Sequence, residues 1–214
     1  MDLNQVTYGN PTIETKALLN KKGLVDSLFD KFKNSEMPLN NSELTREELN
    51  EVADGIALLE DVENELYLKR YKSYDRSLAQ TIITIFKQQG IDVQEVCEEI
   101  FQDINPLIAK LKVHFNRPRP YQMANYYKFN LFPFNSYSAN TPSYPSGHTV
   151  QAYVLLNVVG SMHPNLYKFS KNIIEDVAES RVNLGLHYPS DNDFAKEVGE
   201  AILKNKQFAQ KYGI

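Results

Sequence analysis

The sequence predicts an all-α protein, on three observations. Apolar residues recur at spacings of three, four and seven through most of its 214 residues, the period of a half-buried helix. Capping residues, glycines and prolines punctuate those stretches where helices start and stop. No segment shows the strict alternation of a half-buried strand.

The elements follow in order. In "TIETKALLNKKGLVDSLFDKFK" the residues Leu18, Val25, Leu28, Phe29 and Phe32 lie on one helical face. The stretch "NNSELTREELNEVADGIALLEDVENELYLKRY" repeats the pattern, with Thr45 and Glu48 spaced as a capping box. A helix over 77–89 is stopped by Gly90, and one from Val93 to about Phe115 ends at Pro118 and Pro120. Residues 116–145 hold five prolines among aromatics and asparagines, a long connection of the kind that is often functional. Helix resumes after Ser146 and runs to about Ser161, where "MHPN" breaks it. Residues 166–184 form another, closed by Gly185, and Pro189 opens a last helix that ends near Lys211. The expected organisation is a single domain, with amphipathic helices over 1–90 whose charge runs are solvated and a catalytic core over 91–214.

Composition narrows the function classes. A net charge of −4 argues against a general binder of nucleic acid. Cys97 is the only cysteine, so no intramolecular disulfide forms and a reducing compartment suits the chain. No basic stretch followed by an apolar core opens the sequence, and no run approaches the roughly 18 apolar residues of a membrane span. The expectation is a soluble, cytoplasmic protein with no membrane partner.

Three segments carry chemistry. "KLKVHFNRPRP" brings Lys110, Lys112, Arg117 and Arg119 to a helix end, where cations also serve simply to offset the helix dipole. "PSYPSGHT" sets Ser146 at an N-cap and Gly147 and His148 in the first turn. Free N–H groups there make an anion site, or the segment is a plain cap. "SRVNLGLHYPSD" joins Arg181, His187 and Asp191, either as a helix–turn–helix corner or as a histidine whose tautomer a carboxylate fixes. Pro189 biases Tyr188 away from helix, so His187 belongs in the turn and Asp191 in the helix after it. Together these groups suit a phosphate: arginine binds its oxygens in pairs, and lysine adds a point charge. One histidine can attack phosphorus while the other protonates the leaving oxygen.

These segments resemble the signature of the type 2 phosphatidic acid phosphatase (PAP2) superfamily, which includes acid phosphatases, lipid phosphatases and vanadium-dependent haloperoxidases. Lys112 with Arg119 and Pro120, then Pro145 to His148, then Ser180, Arg181, His187 and Asp191 supply all eleven fixed letters in order. The match covers residues 112–191, and the N-terminal half has no counterpart in it.

The resemblance implies a helical bundle and assigns roles. His187 is the nucleophile that forms a phosphohistidine, Asp191 orients it, and His148 protonates the leaving group. Lys112, Arg119, Arg181, Ser146 and the Gly147 amide hold the phosphoryl oxygens. No metal or other cofactor is implied. Vanadate would inhibit a phosphatase, or serve as cofactor in the alternative, a haloperoxidase; a non-catalytic phosphate-binding module is the other alternative. Chain length favours a phosphomonoesterase resembling soluble class A acid phosphatases, with a small phosphorylated substrate. Arg117 is expected at the rim, His114 and His163 outside the chemistry. The aromatic residues over 121–144 either pack the loop or stack on a flat leaving group.

Overall fold

The computed structural model describes residues 2–214. Among them are eleven α-helices, a few 3₁₀ turns and no strand. The helices are α1 (Ile13–Leu19), α2 (Leu28–Phe32), α3 (Glu43–Glu60), α4 (Glu65–Arg76), α5 (Leu78–Gln88), α6 (Gln94–Phe115), α7 (Pro120–Ala124), α8 (Gly147–Met162), α9 (Tyr167–Asn183), α10 (Pro189–Leu203) and α11 (Lys206–Tyr212).

Helix α8 is the centre. Its apolar residues lie all round it, and Val150, Ala152, Val154, Leu155, Leu156, Val158 and Val159 are all buried. A helix without a polar face needs neighbours on every side, and α6, α9 and α10 supply them. Helix α3 covers α9, while α1 and α2 lie on α6. The N-terminal helices keep the expected amphipathic form: in α5, Leu78, Ile82 and Phe86 recur at four-residue spacing and face the core.

Local differences from the sequence reading have identifiable causes. The helical pattern over 12–33 is two short helices. Between them the backbone at Gly23 packs so tightly on α6 that a Cβ there would lie 2.6 Å from the Asp103 carbonyl. The apolar period survives because Val25 and Phe32 still face the core. Helix α3 is capped by Ser42, whose hydroxyl accepts from the Thr45 amide; Glu48 closes no capping box and is buried elsewhere. Helix α6 is ended by Asn116 in the left-handed region (φ 48°), one residue before the Pro-spaced stretch, and Pro120 opens α7 rather than closing α6. The last predicted helix breaks at Asn205, whose side chain accepts from the Gln207 and Phe208 amides and starts α11.

Gly185 has φ +80° and follows α9 as expected. A Cβ there would sit 2.8 Å from Ile56 Cδ1 and 2.9 Å from Pro133 Cα. Backbone strain and overpacking therefore act together. Gly185→Ala is expected to cost about 2 kcal/mol, read as a lower urea midpoint with unchanged slope.

Candidate active site

The three segments meet at one place. Lys112, in the last turn of α6, is buried, and its ammonium donates to the Pro142 carbonyl at 2.6 Å. Beyond Asn116 the prolines hold the chain extended, so residues two apart share a side. Arg117 and Arg119 therefore both turn inward, each only 1% exposed. Arg119 donates from Nε to Thr141 O and from Nη1 to Leu186 O, at 2.9 and 2.7 Å.

The Nη1 group of Arg119 also lies 2.9 Å from His187 Nε2. A guanidinium only donates, so Nε2 accepts and the ring proton is on Nδ1. That proton goes to Asp191 Oδ2 at 3.0 Å. The tautomer is thereby set: a neutral imidazole with its Nε2 lone pair turned to the cations. As expected, His187 stands in the turn and Asp191 in the first turn of α10, where Oδ2 also accepts from the Tyr188 amide. Burial, and then the Arg119 charge, push His187 well below the ordinary histidine range. Burial alone would raise Asp191, but Arg117 and the His187 hydrogen bond outweigh it and hold the carboxylate ionised well below its usual range.

Arg117 is not a rim charge. Its Nη1 donates to Asp191 Oδ1 at 2.6 Å and to Ser190 Oγ at 2.8 Å, and its Nη2 donates to Glu48 Oε2 at 2.9 Å. The guanidinium lies 3.9 Å from the Tyr188 ring centroid. Glu48, from α3, also accepts from the Ser190 amide at the start of α10. Arg117 thus supports Asp191 from the side opposite His187. Nothing local in the sequence marked Glu48.

Ser146 takes the N-cap position of α8, and its own amide donates to Asp191 O at 3.0 Å. Its hydroxyl makes no cap bond. It lies 2.8 Å from Thr149 Oγ1, which donates to Asn192 Oδ1, so the Ser146 proton is directed to Thr149. The first amides of α8 lack intrahelical partners; Val150 is the first to bond within the helix, to Ser146 O. A Cβ on Gly147 would lie 3.3 Å from Lys112 Cε, so the glycine lets the lysine lie against this helix end. His148 follows, partly buried. Burial, and then Arg181, push its imidazole well below the ordinary range.

Arg181, on α9, pairs with Asp75 of α4 through Nη1 at 2.9 Å, and its Nη2 donates to Ser138 Oγ at 3.0 Å. Its buried Nε has no partner. Asp75 also accepts from the hydroxyls of Ser136 and Ser138 and from the Tyr137 amide. Burial raises this carboxyl, but Arg181 and the two hydroxyls lower it to about 2. Asp75, like Glu48, comes from the N-terminal half and was missed for the same reason.

The buried charged side chains are Glu48, Asp75, Lys112, Arg117, Arg119, Arg181 and Asp191, and all belong to this site. Four cations thus face three carboxylates. Arg117 and Arg181 hold the carboxylates. Lys112 and Arg119 are left with neutral acceptors. Burial, then each other's or Arg181's charge, lower both, Arg119 to about 10. Among the described residues no cluster of His, Cys, Asp and Glu side chains suits a metal ion.

Beside His148 opens a cleft of about 170 Å³ lined by Thr15, Leu18, Asn105, Ile108, Gln151 and neighbours. Of the 121–144 loop only Thr141 reaches it. Tyr144 instead stacks on Phe194 at 4.4 Å, and Phe132 and Tyr137 point to solvent. His114 bonds the Lys33 carbonyl on the outer surface, away from the site, and His163 follows the end of α8.

A bundle built on a buried apolar helix, with histidines and cations gathered at that helix's N-terminus, has the all-α architecture of a PAP2-type phosphatase fold. The PAP2 superfamily model matches residues 100–203, a stretch that contains all eight candidate residues. No curated protein matches the chain. Among solved structures, the chain is similar to that of the first transmembrane PAP2 type phosphatidylglycerolphosphate phosphatase from Bacillus subtilis. The two share 18% identity over 94% of this chain and 96% of that one, with a TM-score of 0.57. Among the described residues no helix is long and apolar enough to cross a membrane.

Removing one member of a buried pair strands the other charge, at about 3–5 kcal/mol. Asp75→Asn, which leaves Arg181 without its carboxylate partner, is therefore expected to lower the thermal midpoint clearly, by roughly 5 °C or more. Acid should also destabilise the fold. Unfolded histidines bind protons below about 6.5 while buried His187 and partly buried His148 resist protonation, so stability falls as pH drops below that value. A second loss begins below 3.8 as unfolded aspartates protonate, and is complete once pH has passed the Asp75 value of about 2. Thermal melts from pH 8 to 3 check both steps.

Proposed function

We propose that the protein is a phosphomonoesterase that works through a phosphohistidine on His187 and needs no metal for charge neutralisation. The observation that carries this reading is the neutral His187, its Nε2 lone pair 2.9 Å from Arg119, which like Lys112 is a buried cation without a carboxylate partner. A phosphoryl group supplies the missing negative charge. Its oxygens take donors from Lys112, Arg119, the Arg181 Nε and the first amides of α8, with Ser146 available if its hydroxyl turns from Thr149.

The proposed reaction has two steps. Nε2 attacks phosphorus, the P–O ester bond breaks, and the departing oxygen takes its proton from His148. Asp191 stabilises the positive charge left on the phosphorylated His187 ring. Water then attacks phosphorus and gives its proton to His148. The P–N bond breaks, and neutral His187 and phosphate are restored. Fixed cations around the transferring group are the main source of catalysis in such reactions.

The two histidines set an acid optimum. His187 must be neutral, and its lowered value keeps it so as pH falls. His148 must be protonated, and its lowered value in the free protein means that protonation grows only below the ordinary histidine range. For a poor leaving group kcat/KM is expected to rise as pH falls from 7 to 5; for p-nitrophenyl phosphate the rise is smaller, because a good leaving group needs less help.

The decisive experiment is phosphate release with EDTA present. Turnover that survives EDTA, disappears in His187→Ala and leaves an acid-labile phosphoenzyme in rapid-quench samples supports the reading. His148→Ala is expected to slow poor leaving groups about 10²–10⁴-fold and good ones less. Vanadate is expected to inhibit as a mimic of the five-coordinate transition state. Peroxide-dependent halide oxidation with vanadate, in the absence of phosphatase turnover, would overturn the proposal.

A further inference from the structure

The wall of the leaving-group side belongs to a part of the chain with no motif. The cleft beside His148 takes Thr15 and Leu18 from α1, Asn105, Ile108 and Ala109 from α6, and Gln151 from α8. Apart from Lys112 and His148 no ionisable side chain lines it. A leaving group with its own positive charge therefore finds no carboxylate there, and a negative one can reach only Lys112, which the phosphoryl group already claims. The polar groups are neutral and aimed: Gln151 Nε2 donates to Asn105 Oδ1 at 2.8 Å. This fixes both carboxamides and leaves an acceptor, Gln151 Oε1, and a donor, Asn105 Nδ2, unused. An alcohol with further hydroxyls satisfies both, because a hydroxyl donates and accepts.

Size sets a second limit. At about 170 Å³ the cleft has a quarter of the volume of the groove of about 680 Å³ next to it, which favours a compact leaving group over a nucleoside. Leu18 stands at the boundary, since it and Asn105 also line a larger neighbouring groove of about 680 Å³ with Lys21, Lys22 and Phe101. Helix α1 thus separates a small chamber at the histidine from a wider space outside.

We propose that α1, through Leu18, and the Asn105–Gln151 pair form the leaving-group subsite, and that it selects phosphate esters of small uncharged polyols. The inference rests on the phosphomonoesterase reading, and deepens it. It also excludes the aromatic loop as the specificity element.

The test compares kcat/KM for glycerol 1-phosphate, a hexose 6-phosphate, phosphoethanolamine, 3-phosphoglycerate and adenosine 5′-monophosphate. The polyol and sugar esters should lead the ethanolamine, glycerate and nucleotide esters by about tenfold or more. Asn105→Ala should cut the ratio of glycerol 1-phosphate to p-nitrophenyl phosphate about tenfold, the scale of a lost hydroxyl partner. Leu18→Ala should raise the ratio of adenosine 5′-monophosphate to glycerol 1-phosphate by a similar factor as the chamber opens into the groove. Absence of turnover on every ester, p-nitrophenyl phosphate included, overturns the phosphomonoesterase reading itself. Turnover in which charged or nucleotide esters lead overturns the subsite alone, as do ratios that neither variant moves.

Discussion

Lys112 and Arg119 are buried without a carboxylate, and the surrounding architecture is arranged to meet that cost. Two uncompensated cations in a protein interior are expensive. The chain spends backbone carbonyls on them: Thr141, Pro142 and Leu186 each turn an oxygen inward. These acceptors come from the long loop and from the turn before α10. The loop path is therefore fixed as much by its carbonyls as by its side chains. Carbonyl dipoles hold the cations in place without neutralising them, so the interior keeps its surplus positive charge for an anion to match.

The carboxylates meet the opposite need. Each is paired with an arginine that does not face the histidine lone pair: Asp75 with Arg181, and Glu48 and Asp191 with Arg117. Asp75 also ties Ser136, Tyr137 and Ser138 to α4, and Glu48 ties the start of α10 to α3. Helices remote in sequence are thus bolted to the motif-bearing segments by buried charge. Arg181 spends two nitrogens on this framework and keeps Nε unpaired. Arg119 likewise uses Nε and Nη1 and makes no bond through Nη2. The donors left over are those available to a ligand.

How much of this the sequence disclosed depended on the range of the interaction. The helices and their order were legible because apolar period and punctuation are local. So was the His187–Asp191 pair, four residues apart with a proline that settles which side of the helix start each occupies. The tautomer was not, because it is set by Arg119, 68 residues away. Arg117 was misplaced at the rim although its alternation with Arg119 was visible, since cations at a helix end have an adequate surface explanation. Glu48 lies among the solvated carboxylates of α3, and Asp75 among the exposed Lys and Arg side chains of α4; only the tertiary fold marks them out from those neighbours. The break at Gly23 was hidden because the helices on both sides keep their apolar faces on the core.

Under the proposed mechanism burial has opposite consequences for the two histidines, so the site completes itself on binding. Removing His187 from water favours its neutral form, the form with a lone pair to give. The partial burial of His148 favours the same form, which has no proton to donate. The surrounding cations strengthen both effects. A phosphoryl group placed among Lys112, Arg119 and Arg181 reverses the balance at His148, because its negative charge offsets the cations that hold the imidazole neutral. At His187 the same group withdraws Arg119 from Nε2 and frees the lone pair for attack. Under the proposed mechanism the substrate's own charge therefore switches on both the acid and the nucleophile. Until then, under that mechanism, Arg119 covers the Nε2 lone pair of His187, and the cation that shields the nucleophile is the one that the substrate claims.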